Sequence, residues 1–255
     1  MDLARTALVM GRFEYPDLDV SAYLNRIDTL AVLAEPLLPA IEPPAQTLAQ
    51  FLFDTVGFAG NVHDYADPRN SFLNEVMDRG LGIPISLSVL YLEVARRTGI
   101  NAAGVGLPGH FIVRAELADG QVLYLDPFHG GLPLTKDDCR ARVSQITDGK
   151  LPFNEAFLQP VGGRYILARM LNNLKNHYAS TSDFARAAKV VERLLVLHPD
   201  DPTETRNLGL IYGSLGKKRQ AAELIEKYLV AHPTAPDAAD MRRYLNTLSA
   251  TARWN

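Results

Sequence analysis

The chain has 255 residues, of which 47% are hydrophobic and 22% are charged, and these values exclude disorder, collagen and low-complexity repeats. The formal net charge of −3 gives no overall electrostatic reason to expect nucleic acid or an anionic membrane as a partner. A single cysteine excludes an internal disulfide and a cysteine-rich zinc site.

The beginning of the chain, MDLARTALVMGRFEYPD, lacks the basic and apolar regions of a signal peptide. No stretch reaches the roughly 18 apolar residues that a membrane span requires. We therefore expect a cytoplasmic protein that does not cross a membrane.

Charge divides the chain into two parts. Residues 1–160 carry a net charge of −8, whereas residues 161–255 carry +5. The segment PVGG at residues 160–163 lies between them, and its proline and glycines are typical of a hinge. The sequence therefore predicts two domains, residues 1–160 and 161–255.

The first part begins with helical patterns at residues 23–33, 47–56 and 70–78. Residues 84–98 predict a different kind of helix. Pro84 suits its first position, Gly99 suits the position after its end, and apolar side chains cover nearly every face. A helix that is apolar all round should lie inside the domain.

A β-hairpin is predicted next, from alternating residues before and after the turn Ala118-Asp119-Gly120. Glycine in the third turn position fits a type I turn with a bulge, which pairs Leu117 with Gln121. His110 then lies diagonal to Asp126 on one face, within hydrogen-bond or near-contact distance. The other face is the more apolar one, so either both faces are covered or the long helix packs elsewhere.

The second part contains an internal repeat of 34 residues, which resembles the tetratricopeptide repeat. Each repeat predicts two helices, and residues 236–248 predict a last helix that covers the open end. His198 and His232 occupy equivalent positions, so the repeat explains them better than a metal pair does. The repeated pairs are Leu174 and Leu208, Tyr178 and Tyr212, Ala187 and Ala221, Val191 and Ile225, and Pro199 and Pro233.

The order of a buried helix, a strand with histidine and a strand with aspartate resembles the transglutaminase-like branch of the papain-type fold. The segments FEYPDLDVSAYL, NSFLNEVMDRGLGIPISLSVLYLEVARRTGI, GLPGHFIVR and LDPFHGG resemble the bacterial SirB-type family. That resemblance covers residues 12–245. It implies an α+β fold, with a central buried helix against an antiparallel sheet, followed by an all-α tetratricopeptide-like unit.

The resemblance implies a site at the start of the central helix. Active transglutaminase-like relatives have a nucleophilic cysteine there, with histidine and aspartate as its partners. Here the nearest hydroxyls are Ser86 and Ser88, and His110 and Asp126 match the other two members. Serine is a far weaker nucleophile than a thiolate. Ser86 is also explained as a small residue that satisfies backbone N–H groups at the helix start.

We therefore predict a non-catalytic, regulatory interaction protein that binds a protein partner through residues 164–248. The alternative is a hydrolase or acyl transferase of amide, ester or peptide bonds, using Ser86 or Ser88 with His110 and Asp126. A third possibility is a structural adaptor in which the histidine–aspartate pair only braces the core.

His110, Asp126 and His129 also form a possible metal-ligand set. Flexible Gly130-Gly131 and the lack of ligand spacing on one element argue against it, so the sequence predicts no metal and no cofactor. Cys139 falls in the polar segment LTKDDCRARV and is expected to be exposed or half-buried, outside any nucleophilic site.

Overall fold

The computed structural model describes residues 2–40 and 43–252, and the chain forms two compact units, Met1–Met170 and Leu171–Asn255. Its helices are α1 (Leu3–Gly11), α2 (Val20–Ala34), α3 (Pro44–Gln50), α4 (Leu73–Arg79), α5 (Pro84–Arg97), α6 (Lys136–Ile146), α7 (Gly163–Ser180), α8 (Phe184–Leu197), α9 (Pro202–Ser214), α10 (Lys218–Ala231) and α11 (Ala238–Ala252). Together with an antiparallel sheet in the first unit, they confirm the predicted α+β fold with a helical C-terminal unit.

The first unit contains a five-stranded antiparallel sheet and a small parallel pair. The parallel pair is β1 (Ala59–Gly60) with β2 (Leu81–Gly82). The main sheet has the order β6-β5-β4-β3-β7. Its strands are β3 (Ala102–Val105), β4 (Ile112–Glu116), β5 (Val122–Asp126), β6 (Leu132–Leu134) and β7 (Pro160–Val161).

Helix α5 is the central buried helix that the sequence predicts. Pro84 occupies its first position, and Gly99 beyond its end has a φ of +75°, a conformation that glycine adopts without strain. Every residue from position 84 to 95 is buried. The helix packs against β3 and β4, as well as against α2.

The hairpin of β4 and β5 has the predicted register. Val113 pairs with Leu125, and Arg114 pairs with Tyr124. The backbone N–H of Leu117 donates to the carbonyl of Gln121 at 2.9 Å, and Gly120 has a φ of +82°. The turn residues therefore fix which side chains share a face.

Both faces of this hairpin are covered, which resolves the conflict between the apolar face and the polar pair. On one face, Ile112 and Tyr124 pack into a core cluster with Cys139 and Val143 of α6. On the opposite face, Val113 and other apolar side chains are fully buried. Asp126 thus lies on a sheet face that is closed by α6.

The sequence-based hinge is wrong at Pro160 and Val161. Both residues belong to β7, which pairs with Val105 and Gly104 of β3. A proline is tolerated there because β7 is an edge strand. The domain limits 1–160 and 161–255 stay a prediction.

The repeats form the predicted helical pairs. Leu174, Ala187, Leu208 and Ala221 are at most 5% exposed, and Ile225 is fully buried. Helix α11 packs on α10 and is the predicted last helix. A Cβ on Gly209 would lie 2.8 Å from the Ile225 side chain, so a larger residue there would displace Ile225.

The first repeat copy departs from the pattern at two positions. Lys175 stands where the second copy has Gly209, and its ammonium group forms an ion pair with the buried Glu204. Ser182 stands where the second copy has Gly216 and adopts a φ of +57°, against +73° for the glycine. A serine in this left-handed conformation is strained.

Candidate functional site

His110 is held at the end of a loop that precedes β4. Gly109 has a φ of +71°, and a Cβ there would collide with Ile146. Nη2 of Arg169 donates to the carbonyls of Leu107 at 3.0 Å and His110 at 2.7 Å. These contacts fix the backbone of His110, whose side chain is 6% exposed.

Nε2 of His110 lies 2.9 Å from Oδ2 of Asp126, as the register predicts. The Asp126 side chain is fully buried. Its Oδ1 accepts a hydrogen bond from the backbone N–H of Phe128 at 3.1 Å. The carboxylate is therefore oriented by the short helical turn Pro127–His129 that follows β5.

Two further side chains, His129 and Arg142, bring a nitrogen close to Oδ2 of Asp126. Nδ1 of His129 lies at 2.9 Å, and Nη1 of Arg142 lies at 2.6 Å. The same Nη1 is also 2.8 Å from Nδ1 of His129. Three nitrogen-bearing side chains thus converge on one carboxylate oxygen.

The pKa of Asp126 reflects this environment. Burial by itself raises the pKa, but the hydrogen bond from His110 and the attraction of His110 and Arg142 outweigh it. The pKa of Asp126 therefore lies below its usual value, and the carboxylate stays ionised at neutral pH.

Neither predicted serine joins this cluster. Oγ of Ser86 is 2.6 Å from the carbonyl of Asn70, to which it donates, and accepts from the N–H of Ile83 at 3.1 Å. Oγ of Ser88 donates to the carbonyl of Pro84 at 2.7 Å. Both serines are fully buried, and within residues 2–40 and 43–252 no hydrogen bond connects either hydroxyl to His110.

A buried amide network supports the start of α5. Asn70 is fully buried, and its Oδ1 accepts from Asn61 and Arg79, each at 3.0 Å. Its Nδ2 donates to the carbonyl of Asp64 at 2.7 Å. The partner of Ser86 is therefore the backbone carbonyl of a buried, hydrogen-bonded residue, and the hydroxyl is held in a structural bond.

The metal-ligand set considered from the sequence is brought together in space. One potential ligand atom from each of His110, Asp126 and His129 lies within 4.8 Å of the others. The His129 side chain is 45% exposed, so this side of the cluster reaches solvent. The other histidine pair, His198 and His232, lies at the exposed ends of α8 and α10.

The prediction for Cys139 is wrong with respect to exposure. The thiol is fully buried in the core cluster between α6 and the sheet. Burial and the neighbouring Asp138 raise its pKa to about 11. Thr135 and Asp138 form a capping box, which starts the helix so that Cys139 faces inward.

Sequence reasoning missed Arg142 and Arg169. Arg142 lies between Cys139 and Val143 along α6, next to the buried face of that helix. A cation in this position, opposite a sheet face that carries Asp126, was the available signal. Arg169 had none, because it contacts backbone carbonyls 59 and 62 residues away.

Comparison with known families and proteins agrees with this architecture. The profile of the transglutaminase-like superfamily matches residues 21–172, and that of the tetratricopeptide repeat matches residues 174–246. A UPF0162 protein of Xylella fastidiosa (strain 9a5c) is 43% identical over 228 residues, covering 86% of this chain and 79% of the relative.

More distant relatives share part of this similarity. UPF0162 protein YchA of Escherichia coli (strain K12) is 26% identical over 205 residues, covering 80% of this chain and 76% of that protein. Human F-box only protein 21 is 35% identical over 130 residues, which cover 48% of this chain and 20% of that protein. The search of solved structures gives no significant match.

Within the described parts of the chain, no helix combines the length and apolar character needed to cross a membrane. The matched regions meet close to the division between the two compact units. The chain therefore belongs to the UPF0162 family, with a transglutaminase-like domain followed by tetratricopeptide repeats.

Proposed function

We propose that the chain is a non-catalytic interaction protein, in which a transglutaminase-like core without a nucleophilic thiol accompanies a repeat unit that binds a protein partner. One observation carries the first half. The start of α5 offers two hydroxyls, and both donate to backbone carbonyls. The single thiol, Cys139, is buried in α6 with a raised pKa.

A serine hydroxyl becomes a nucleophile only when a base removes its proton during attack. His110 is such a base, but Ser86 and Ser88 direct their protons to carbonyls of Asn70 and Pro84. The alternative of a serine hydrolase or acyl transferase therefore has no support from the hydroxyl geometry. That the chain is a SirB-type protein with a regulatory role in the cytoplasm stays a proposal from the sequence.

The absence of catalysis is tested by assaying amide and ester hydrolysis and amine transfer with full-length wild type and with His110→Ala. We expect the same background rate from both proteins, and no effect of thiol-directed inhibitors. Turnover that His110→Ala and Ser86→Ala each abolish would support the hydrolase instead. Turnover that is blocked by alkylating Cys139 would overturn the proposal, because it would show a catalytic thiol in α6.

The partner surface is expected on the repeats, whose regular exposed positions suit protein recognition. Val196 of α8 and Val230 of α10 are 34 residues apart, and each is 78% exposed. Apolar side chains left in water at equivalent positions of two repeats support a contact surface for a protein partner.

This surface is tested by affinity capture with full-length protein that carries Val196→Glu and Val230→Glu together. The matched control is Val62→Glu, since Val62 is 65% exposed in the first unit. We expect the double variant to lose a specific partner that wild type and the control retain, with unchanged thermal unfolding. Equal capture by all three proteins would show that the partner binds elsewhere.

A further inference from the structure

We propose that Nε2 of His110, Oδ2 of Asp126 and Nδ1 of His129 form a binding site for a divalent metal ion such as zinc. The Arg142 guanidinium competes with the ion for these ligand atoms. The three atoms lie within 4.8 Å of one another. This inference does not depend on the proposed interaction function.

The two histidine–carboxylate distances fit a shared cation. Each histidine nitrogen is 2.9 Å from Oδ2 of Asp126. Two ligands that are each about 2.0–2.1 Å from zinc lie about 2.9–3.4 Å apart at right or tetrahedral angles. The donor set of two imidazoles and one carboxylate suits zinc, cobalt or iron better than magnesium or calcium.

The protons of the cluster cannot satisfy every close contact. Nδ1 of His129 is near both Oδ2 of Asp126 and Nη1 of Arg142, at 2.9 and 2.8 Å. An imidazole nitrogen either donates or accepts, so one of these two contacts is not a hydrogen bond. A metal ion would accept the lone pairs of His129 and Asp126 together.

The surroundings also meet the needs of a metal site. Oδ1 of Asp126 accepts from the N–H of Phe128, and this bond would hold the carboxylate in a fixed orientation toward an ion. His110 can carry its ring proton on Nδ1, which has no hydrogen-bond partner among the described residues. The half-exposed His129 gives an ion access from solvent.

Arg142 supplies the positive charge of the site when no metal is bound. Its side chain is 20% exposed, so the guanidinium is able to move toward solvent. Nη1 of Arg142 lies 2.6 Å from Oδ2 of Asp126, one of the proposed metal ligands. Because the positive charges of the guanidinium and the ion repel each other, Arg142 should weaken metal binding. Removal of this one charge should therefore raise the affinity for metal.

The test uses full-length protein without a polyhistidine tag. Zn²⁺ binding is measured by calorimetry, and Co²⁺ binding by visible absorption, for wild type, Arg142→Ala and Arg142→Gln. The matched control is Arg140→Ala, because Arg140 lies on the same helix and its side chain is 55% exposed. We expect one equivalent of metal to bind, at least tenfold more tightly in the two Arg142 variants than in wild type or the control.

His129→Ala in the Arg142→Ala background separates this site from other histidines on the surface, and unfolding curves confirm that the variant is folded. We expect this double variant to lose the gained affinity and the Co²⁺ absorption. The proposal is overturned if the Arg142 variants bind no metal, if wild type binds as tightly as they do, or if the double variant keeps the gain.

Discussion

The two units of the chain depart from their family patterns with different consequences. In the first unit, the start of α5 has no thiol, and Ser86 instead satisfies the backbone with two hydrogen bonds, of 3.1 and 2.6 Å. In the second unit, Lys175 and Ser182 replace small residues of the repeat, and Ser182 takes a left-handed backbone conformation. The first departure changes the available chemistry, whereas the second affects stability.

The largest effect is expected where the repeat packing itself is broken. Leu208 in α9 is 5% exposed, so Leu208→Asp buries an unpaired charge and should lower the free energy of unfolding by about 4 kcal/mol or more. Val230→Asp is the control, because Val230 is 78% exposed and should change stability by less than about 0.5 kcal/mol. Urea unfolding of Leu208→Asp that matched wild type would refute the repeat assignment.

The next effect concerns the buried carboxylate of the first unit. Asp126→Ala leaves Arg142 and His110 without their common acceptor and should cost about 3 kcal/mol of unfolding free energy. Asp137→Ala breaks an exposed pair with Arg140 and should cost less than about 1 kcal/mol. Equal urea midpoints for the two variants would mean that the cluster does not stabilise the fold.

The two serines of α5 should differ in their contribution. Ser86→Ala removes an acceptor of the Ile83 N–H and a donor to the Asn70 carbonyl, and should cost about 1–3 kcal/mol. Ser88 only bonds back to the carbonyl four residues earlier, so Ser88→Ala should cost less than about 1 kcal/mol. Thermal unfolding of the two variants measures this difference, and the reverse order would contradict the structural role of Ser86.

The smallest effect is a gain of stability at the repeat turn. Ser182→Gly relieves the positive φ of Ser182 and should stabilise the protein by about 0.5–1 kcal/mol. Gly216→Ser makes the opposite exchange in the second copy and should destabilise by a similar amount. Both variants are measured by calorimetric melting. If neither changes the melting temperature, backbone strain at this turn does not distinguish the two repeat copies.

Local signals predicted those parts of the fold that a few neighbouring residues determine. The Ala118-Asp119-Gly120 turn set the hairpin register, and the 34-residue period set the helical pairs. Pro84 and Gly99 bounded α5. The His110–Asp126 contact followed from the register, because pairing is counted outward from the turn.

Long-range contacts were outside the reach of these signals. Helix α1 was missed, because its sequence was considered only as a leader segment, although Asp2 caps it. Cys139 was misplaced because a mostly charged helix turns only a narrow face, with Val143, toward the core. Arg142 reaches the site across 16 residues, and its place beside the buried face of α6 indicates an inward cation but does not identify Asp126 as its partner.

The burial of Cys139 makes this thiol a natural reporter of motion in the first unit. A side chain with no exposed surface and a pKa of about 11 reacts with an alkylating reagent only after α6 separates from the sheet. The same helix carries Arg142, one turn further along, on the Asp126 carboxylate. The rate of thiol labelling therefore measures how often α6 separates from the sheet. A metal ion that displaced Arg142 from Asp126 would change that rate.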